Sequence, residues 1–252
     1  MPIDAHLAVL AALRLDTHKL PVPRADGDRE ALRILLVARQ EITVARTAQI
    51  GRLRALLLAG DDSDRRAART ALTQAALAAL AGREPRADAC REQAVRHAEI
   101  RRLAQALGRA RQELRDNSAQ LLAIVEDIAP GLTSRYGIGP VSAAQAIVSF
   151  SHPGRCRSEA AFAALGGTSP IPASSGQTIR HRLNRGGDRA LNRAIHAIAL
   201  TRMRSCPRTR AYIARRTAEG KTAREIRRCL KRYIARELYR QLNQSMNLPA
   251  GP

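Results

Sequence analysis

The chain has 252 residues, 45% of them apolar and only 2% aromatic, with a formal net charge of +21 and a pI near 11.5. Cores of that composition are helices packed through alanine and leucine. The charge selects polyanionic partners, and no run of eighteen apolar residues exists that would span a membrane.

Forty of the 43 basic residues are arginines, whose forked guanidinium suits phosphate. A GC-rich genome also favours arginine over lysine, but it does not create an excess of charge. Residues 1–130 hold 21 basic and 17 acidic side chains, a net of +4. Residues 131–252 hold 22 and 5, a net of +17, so the second half is the one suited to a polyanion. No basic amphipathic helix with Trp or Phe anchors is present, which favours nucleic acid over a lipid surface. Cys90, Cys156, Cys206 and Cys229 show no zinc spacing and read as reduced cytosolic thiols.

In chain order, Ile3, Leu7, Leu10 and Leu13 have helical spacing, and "PVPRADGD" breaks it. A long helix is predicted from Asp28 to about Ala59, with Leu32, Leu35, Ile42, Ile50, Leu53 and Leu57 on its stripe and Gly60 at its end. "DDSD" caps a helix over about 63–81, and "GREPRAD" breaks again. A very long helix follows from about Ala89 to Ile128. Its three–four spacing runs from Ile100 through Leu103, Leu107, Leu114 and Leu121, interrupted by polar Asn117. That seam fits either a coiled-coil dimer or an antiparallel pairing with helix 28–59, and the two can coexist.

Pro130-Gly131 opens a second unit. In "SRYGIGPVSAAQAIVSF", Gly137 and Gly139 precede Pro140 at a helix start, as in a helix-hairpin-helix that grips a phosphate backbone. The plainer alternative is a tight turn between packed helices. A short helix covers Ser158–Leu165. Gly166-Gly167 ends it, and Pro170 and Pro172 hold an extended loop to Ser174, Ser175 and Gly176. Arg180, Arg182 and Arg185 follow, and a helix resumes near Asp188 with Arg189 and Arg193 in its first turns. The last predicted helix carries Ile226, Leu230, Ile234, Leu238 and Leu242 on one face. Tyr233 and Tyr239 read as packing residues of that helix, and His196 as a packed or surface residue.

"GIGPVSAAQAIVSF", "RSEAAFAALGGTSPIPASSGQT" and "RHRLNRGGDRALNRAIHAIA", in that order, resemble the C-terminal transposase domain of DEDD-type insertion-sequence transposases, the family numbered one hundred and ten. The resemblance runs from Tyr136 to Leu242, and stretch 28–130 resembles the family's coiled-coil segment. It implies a serine nucleophile at Ser175, with Ser174 the neighbour most easily confused with it. It implies a backbone clamp from the arginines already named, DNA as substrate, and a structured guide RNA that selects the site. It also implies an N-terminal domain in which four carboxylates hold Mg2+.

In that domain the last two carboxylates belong to an Asp-x-x-Asp-Ala stretch. Here it reads Met1-Pro2-Ile3-Asp4-Ala5, so Asp4 alone matches, as a residual and incomplete metal site. One carboxylate cannot hold a two-metal cluster. The chain is expected to lack most of the metal domain, to bind no metal stably, and to leave residues 1–25 loosely docked.

The expected architecture is mainly α: a remnant over 1–25, a helical coiled-coil segment over 26–130 and a helical transposase domain over 131–252. The function it implies is an impaired transposase or recombinase of a mobile element, cytoplasmic and at the nucleoid, self-associating through the coiled coil. The alternative is a helical protein that binds nucleic acid without cutting it.

Overall fold

The computed structural model describes residues 27–84, 89–172, 181–182, 184 and 186–247, together with Leu7, Val9, Leu10 and Leu13. Those four are helical and exposed. Asp4 and the expected loose docking of residues 1–25 lie outside the described residues.

The fold is mainly α. Nine helices are present among the described residues: α1 (Gly27–Leu58), α2 (Asp62–Arg69), α3 (Gln74–Ala81), α4 (Arg91–Ile128), α5 (Pro140–Phe150), α6 (Glu159–Leu165), α7 (Arg189–Ser205), α8 (Pro207–Ala218) and α9 (Ala223–Asn247). Between α6 and α7 a two-residue antiparallel ladder joins β1 (Ile171–Pro172) to β2 (His181–Arg182), with Ile171 opposite Arg182 and Pro172 opposite His181.

The long seam pairs within the chain. Asn117 of α4 donates to the Leu35 carbonyl at 2.9 Å, and Leu53 and Leu57 share a core with Ile100, Leu103 and Leu107. Low numbers on α1 therefore meet high numbers on α4, and the two helices run antiparallel. Their far end is closed by Leu77 and Leu80 of α3.

The helix expected over 63–81 is two helices. Asp61 caps α2 by accepting from the Asp64 N–H, and α2 stops at Thr70. Thr73 then caps α3 through the Ala76 N–H, 3.2 Å from its hydroxyl. Threonine hydroxyls that satisfy backbone groups locally compete with continued helix.

A second, larger cluster runs across residue 130. It joins Leu32, Leu121 and Val125 of the helical pair to Leu132, Ile147, Phe150, Phe162, Ile195, Ile198 and Leu238. Both phenylalanines and one tyrosine lie here: Phe150, Phe162 and Tyr239 have ring centroids 5.9 to 6.0 Å apart, and the Tyr239 hydroxyl donates to the Cys156 carbonyl at 3.0 Å. Rings at that separation add attraction beyond their buried area. Helix α8 was not foreseen. Pro207 starts it directly after Cys206, which ends α7, and Thr209 is its one buried residue, so it carries no apolar stripe to read.

Candidate nucleic-acid interface

Two glycine pairs set the base of the segment between α6 and α7. Gly167 has φ +61°, and a Cβ there would stand 3.1 Å from the Gly186 carbonyl oxygen. Gly187 has φ +88°, and a Cβ there would come within 2.3 Å of the Leu165 carbonyl oxygen. The same oxygen accepts from the Asp188 N–H at 2.7 Å, so the chain leaves α6 and enters α7 at one point.

Asp188 is the cap that fixes α7. One carboxylate oxygen accepts from the Ala190 and Leu191 N–H groups at 2.8 and 2.9 Å, and the other accepts from the Ser149 hydroxyl at 2.5 Å. Asn192, one turn later, donates to the Gly166 carbonyl at 2.6 Å and accepts from the Lys231 ammonium at 2.7 Å. Arg232 donates to the Ser169 hydroxyl. The base is thereby tied to α9.

Beside this base lies a groove of about 640 Å³, bounded by Gly167–Pro170, Asn184, the end of α8 and one face of α9. Arg216, Lys221, Arg228, Lys231, Arg232 and Arg236 line it, against one carboxylate, Glu225. Glu225 accepts from the Thr222 N–H and hydroxyl, which hold its carboxyl below the usual range. Arg216 pairs with Glu219 and Arg236 with Glu159. Among the described residues, Lys221, Arg228, Lys231 and Arg232 have no carboxylate in ion-pair contact.

Burial, with Arg227 nearby, pushes the Lys231 ammonium down. His196 is held down by burial and then by Lys231 and Arg227. Burial is the larger cause of both shifts, and the neighbouring cations add to it.

Of the residues singled out in the sequence, Ser174, Ser175, Arg180 and Arg185 lie outside the described residues. Arg182 is placed by its backbone in the ladder, which is reached from the groove wall through Pro170. Arg189 and Arg193 are exposed, one turn apart on α7.

Gly137 has φ +77°, and a Cβ there would meet the Arg202 side chain at 3.2 Å and the Ile198 carbonyl at 3.4 Å. Arg202 donates to the Tyr136 carbonyl at 2.8 Å and forks onto Glu237 at 2.7 and 3.1 Å. Packing against α7 is thus sufficient reason for a glycine at 137. Gly139 caps α5 with open space around it and Pro140 behind. Tyr239 is a packing residue, as expected. Tyr233 is not: it is 54% exposed and lines the groove, edge-on to Tyr212 at 6.1 Å. Position 233 falls between the apolar positions 230 and 234, which α9 turns inward.

The groove itself escaped the sequence reading, although a signal existed. Arg224, Arg228, Arg232, Arg236 and Arg240 recur every fourth residue, a stripe along one face of a helix.

Fold and groove together define a helical protein with an uncompensated cationic surface, the kind that meets a polyanion. Residues 129–214 match a family model described as the Transposase IS116/IS110/IS902 family. The chain is also 31% identical over 156 residues to the "Insertion element IS110 uncharacterized 43.6 kDa protein" of Streptomyces coelicolor. That alignment takes in 59% of this chain and 38% of the relative, so the chain spans well under half the relative's length. No helix among the described residues is long and apolar enough to cross a membrane.

Proposed function

We propose that this chain binds DNA as part of an insertion-sequence transposase, and that Ser175 is the nucleophile of its transposase domain. The observation that carries the reading is the groove: among the described residues, four cations with no carboxylate in ion-pair contact, and Glu225 as the one acid of the lining, stand beside the base from which the serine-bearing segment departs. A phosphodiester is anionic and resists attack, and its charge grows in the transition state, so guanidinium groups both dock it and stabilise the reaction.

In the proposed step the Ser175 oxygen forms a bond to phosphorus and the bond from phosphorus to one sugar oxygen breaks. The serine proton passes to the departing sugar oxygen, which leaves as a hydroxyl. Arg180, Arg182 and Arg185 hold the backbone, while Arg189 and Arg193 extend the contact along α7. Gly139 at the start of α5 offers a further phosphate its free helix N–H groups. A structured guide RNA is the proposed source of site selection, since no groove-reading motif is evident in the sequence. A second copy of the chain is the proposed partner of the outer face of α1, where Ile34, Val37 and Val44 are exposed at three- and seven-residue spacing.

Mg2+ belongs to the complete family enzyme by resemblance. Among the described residues no three His, Cys, Asp or Glu side chains gather to hold a metal, so no step is assigned to it. The second reading is a chain that binds nucleic acid without cutting it.

The two separate in one experiment. The protein is incubated with element-end DNA, guide RNA and magnesium, and covalent protein–DNA adduct is sought on a denaturing gel. Adduct that disappears with Ser175→Ala supports the nucleophile, and adduct that persists in that variant moves it elsewhere. Binding without adduct in the wild type leaves the second reading.

A further inference from the structure

The helical pair carries a cluster that its near-neutral sequence conceals. Arg39 and Arg46 of α1 and Arg111 and Arg115 of α4 surround a groove of about 430 Å³, with Leu114 and Ser118 as its remaining lining. Elsewhere on this half of the protein arginines find carboxylates close by in sequence: Arg33 with Glu30, Arg65 with Asp62, Arg96 with Glu92 and Arg102 with Glu99. Among the described residues none of the four groove arginines has such a pair. They approach one another because α1 and α4 pack antiparallel, which brings positions far apart in sequence together.

The groove is also built. Arg39 is half-buried and donates through one nitrogen to the Leu114 carbonyl and the Ser118 hydroxyl, both at 2.9 Å, and to the Asn117 side-chain oxygen at 3.3 Å. Asn117 is itself buried and anchored on the Leu35 carbonyl. The polar residue that interrupts the apolar seam therefore holds a guanidinium in a fixed place. Burial holds the Arg39 pKa below its ordinary value, and no anion within the described residues offsets it. Like charges gathered this way repel unless a ligand neutralises them.

Along α1, positions 39 and 46 are about 10.5 Å apart, and along α4 positions 111 and 115 about 6 Å. Four donors over that span face an extended anion rather than a single small one. We propose that this groove is a second nucleic-acid site, at which the four arginines bind consecutive phosphates of one strand, separate from the groove at α9.

The inference rests on the chain binding nucleic acid and extends it to the half whose net charge gave no sign of it. The test uses the full chain and salt titrations of affinity, with a duplex DNA several helical turns long and a hairpin RNA of similar length. The groove variant is Arg46→Gln/Arg111→Gln/Arg115→Gln, which spares Arg39 and its supporting bonds. The charge control is Arg65→Gln/Arg66→Gln/Arg69→Gln on α2. The α9 variant is Lys221→Gln/Arg228→Gln/Arg232→Gln.

Removing one arginine–phosphate interaction lowers the slope of log affinity against log salt by about one. The groove variant is expected to lower the slope by about 2 to 3 on at least one probe, at unchanged melting temperature, with the control unchanged. An effect on one probe alone identifies DNA or RNA as the occupant. A groove variant that matches wild type on both probes, or a control that falls equally, overturns the second site. If the α9 variant is impaired in that case, the proposed function stands without it. If the groove variant is impaired and the α9 variant is not, the second site stands and the α9 groove loses its role.

Discussion

Gly187→Ala tests whether the base of the 166–188 segment is as tight as its geometry implies. Two costs add at this position. The backbone sits at φ +88°, and a side chain in left-handed geometry costs about 1–2 kcal/mol. The new Cβ would also lie 2.3 Å from the Leu165 carbonyl oxygen, a backbone atom that cannot rotate away. Relief requires parting Leu165 from Asp188, whose N–H donates to that oxygen at 2.7 Å. A hydrogen bond of this kind contributes about 1 kcal/mol net. The expected loss is about 3 kcal/mol, read by urea unfolding followed by circular dichroism.

Gly131→Ala is the matched control, because Gly131 has φ +73° with nothing within 4 Å of a built Cβ. It should lose only the backbone cost, about 1 kcal/mol. Because Asp188 also caps α7, Gly187→Ala should weaken DNA binding even below the unfolding transition, whereas Gly131→Ala should not. Equal destabilisation by the two alanines would refute the close approach at Leu165 and with it the rigid base.

Asn117→Ala should cost about 2 kcal/mol in thermal or urea unfolding, since it removes two hydrogen bonds, the amide's to the Leu35 carbonyl and the one that braces Arg39. An unchanged midpoint would show that the buried amide contributes nothing to the pair. Asp61→Ala should cost about 1 kcal/mol as a lost helix cap. Backbone and hydroxyl donors from Asp64 and Ser63 hold the Asp61 carboxyl at about 2, below its ordinary 3.8. A depressed carboxylate stabilises the fold above its unfolded pKa, so the gap between wild type and variant should be full above pH 3.8 and close as pH falls toward 2. A gap that is constant across that window would contradict the cap.

The elements with long apolar stripes, α1 and α4, were legible in the sequence to within a residue or two at their ends. So were the starts of α5, α6 and α7, because Pro140, Ser158 and Asp188 are local signals that act on their own helix. What escaped depends on groups distant in sequence or on weak stripes. The break between Arg69 and Gln74 rests on two threonines that read equally well inside a helix. Helix α8 buries too little to show a period. The pairing of Gly167 against Gly186, and of Gly187 against Leu165, is a meeting of residues about twenty apart that no local pattern records. The α9 arginine stripe could have been counted, but its convergence with Lys221 and Gly167–Pro170 needed the fold. The arginine cluster on the helical pair was hidden by averaging, since a net of +4 over 130 residues does not reveal where four guanidiniums meet. Ser175, conversely, rests on the sequence, since it lies outside the described residues.

The most direct test of the account is equilibrium binding of duplex DNA by wild type and by Lys221→Gln/Arg228→Gln/Arg232→Gln at several salt concentrations. The groove at α9 predicts weaker binding at every salt and a slope reduced by about 3. Affinity and slope equal to wild type, with the fold intact, would contradict it.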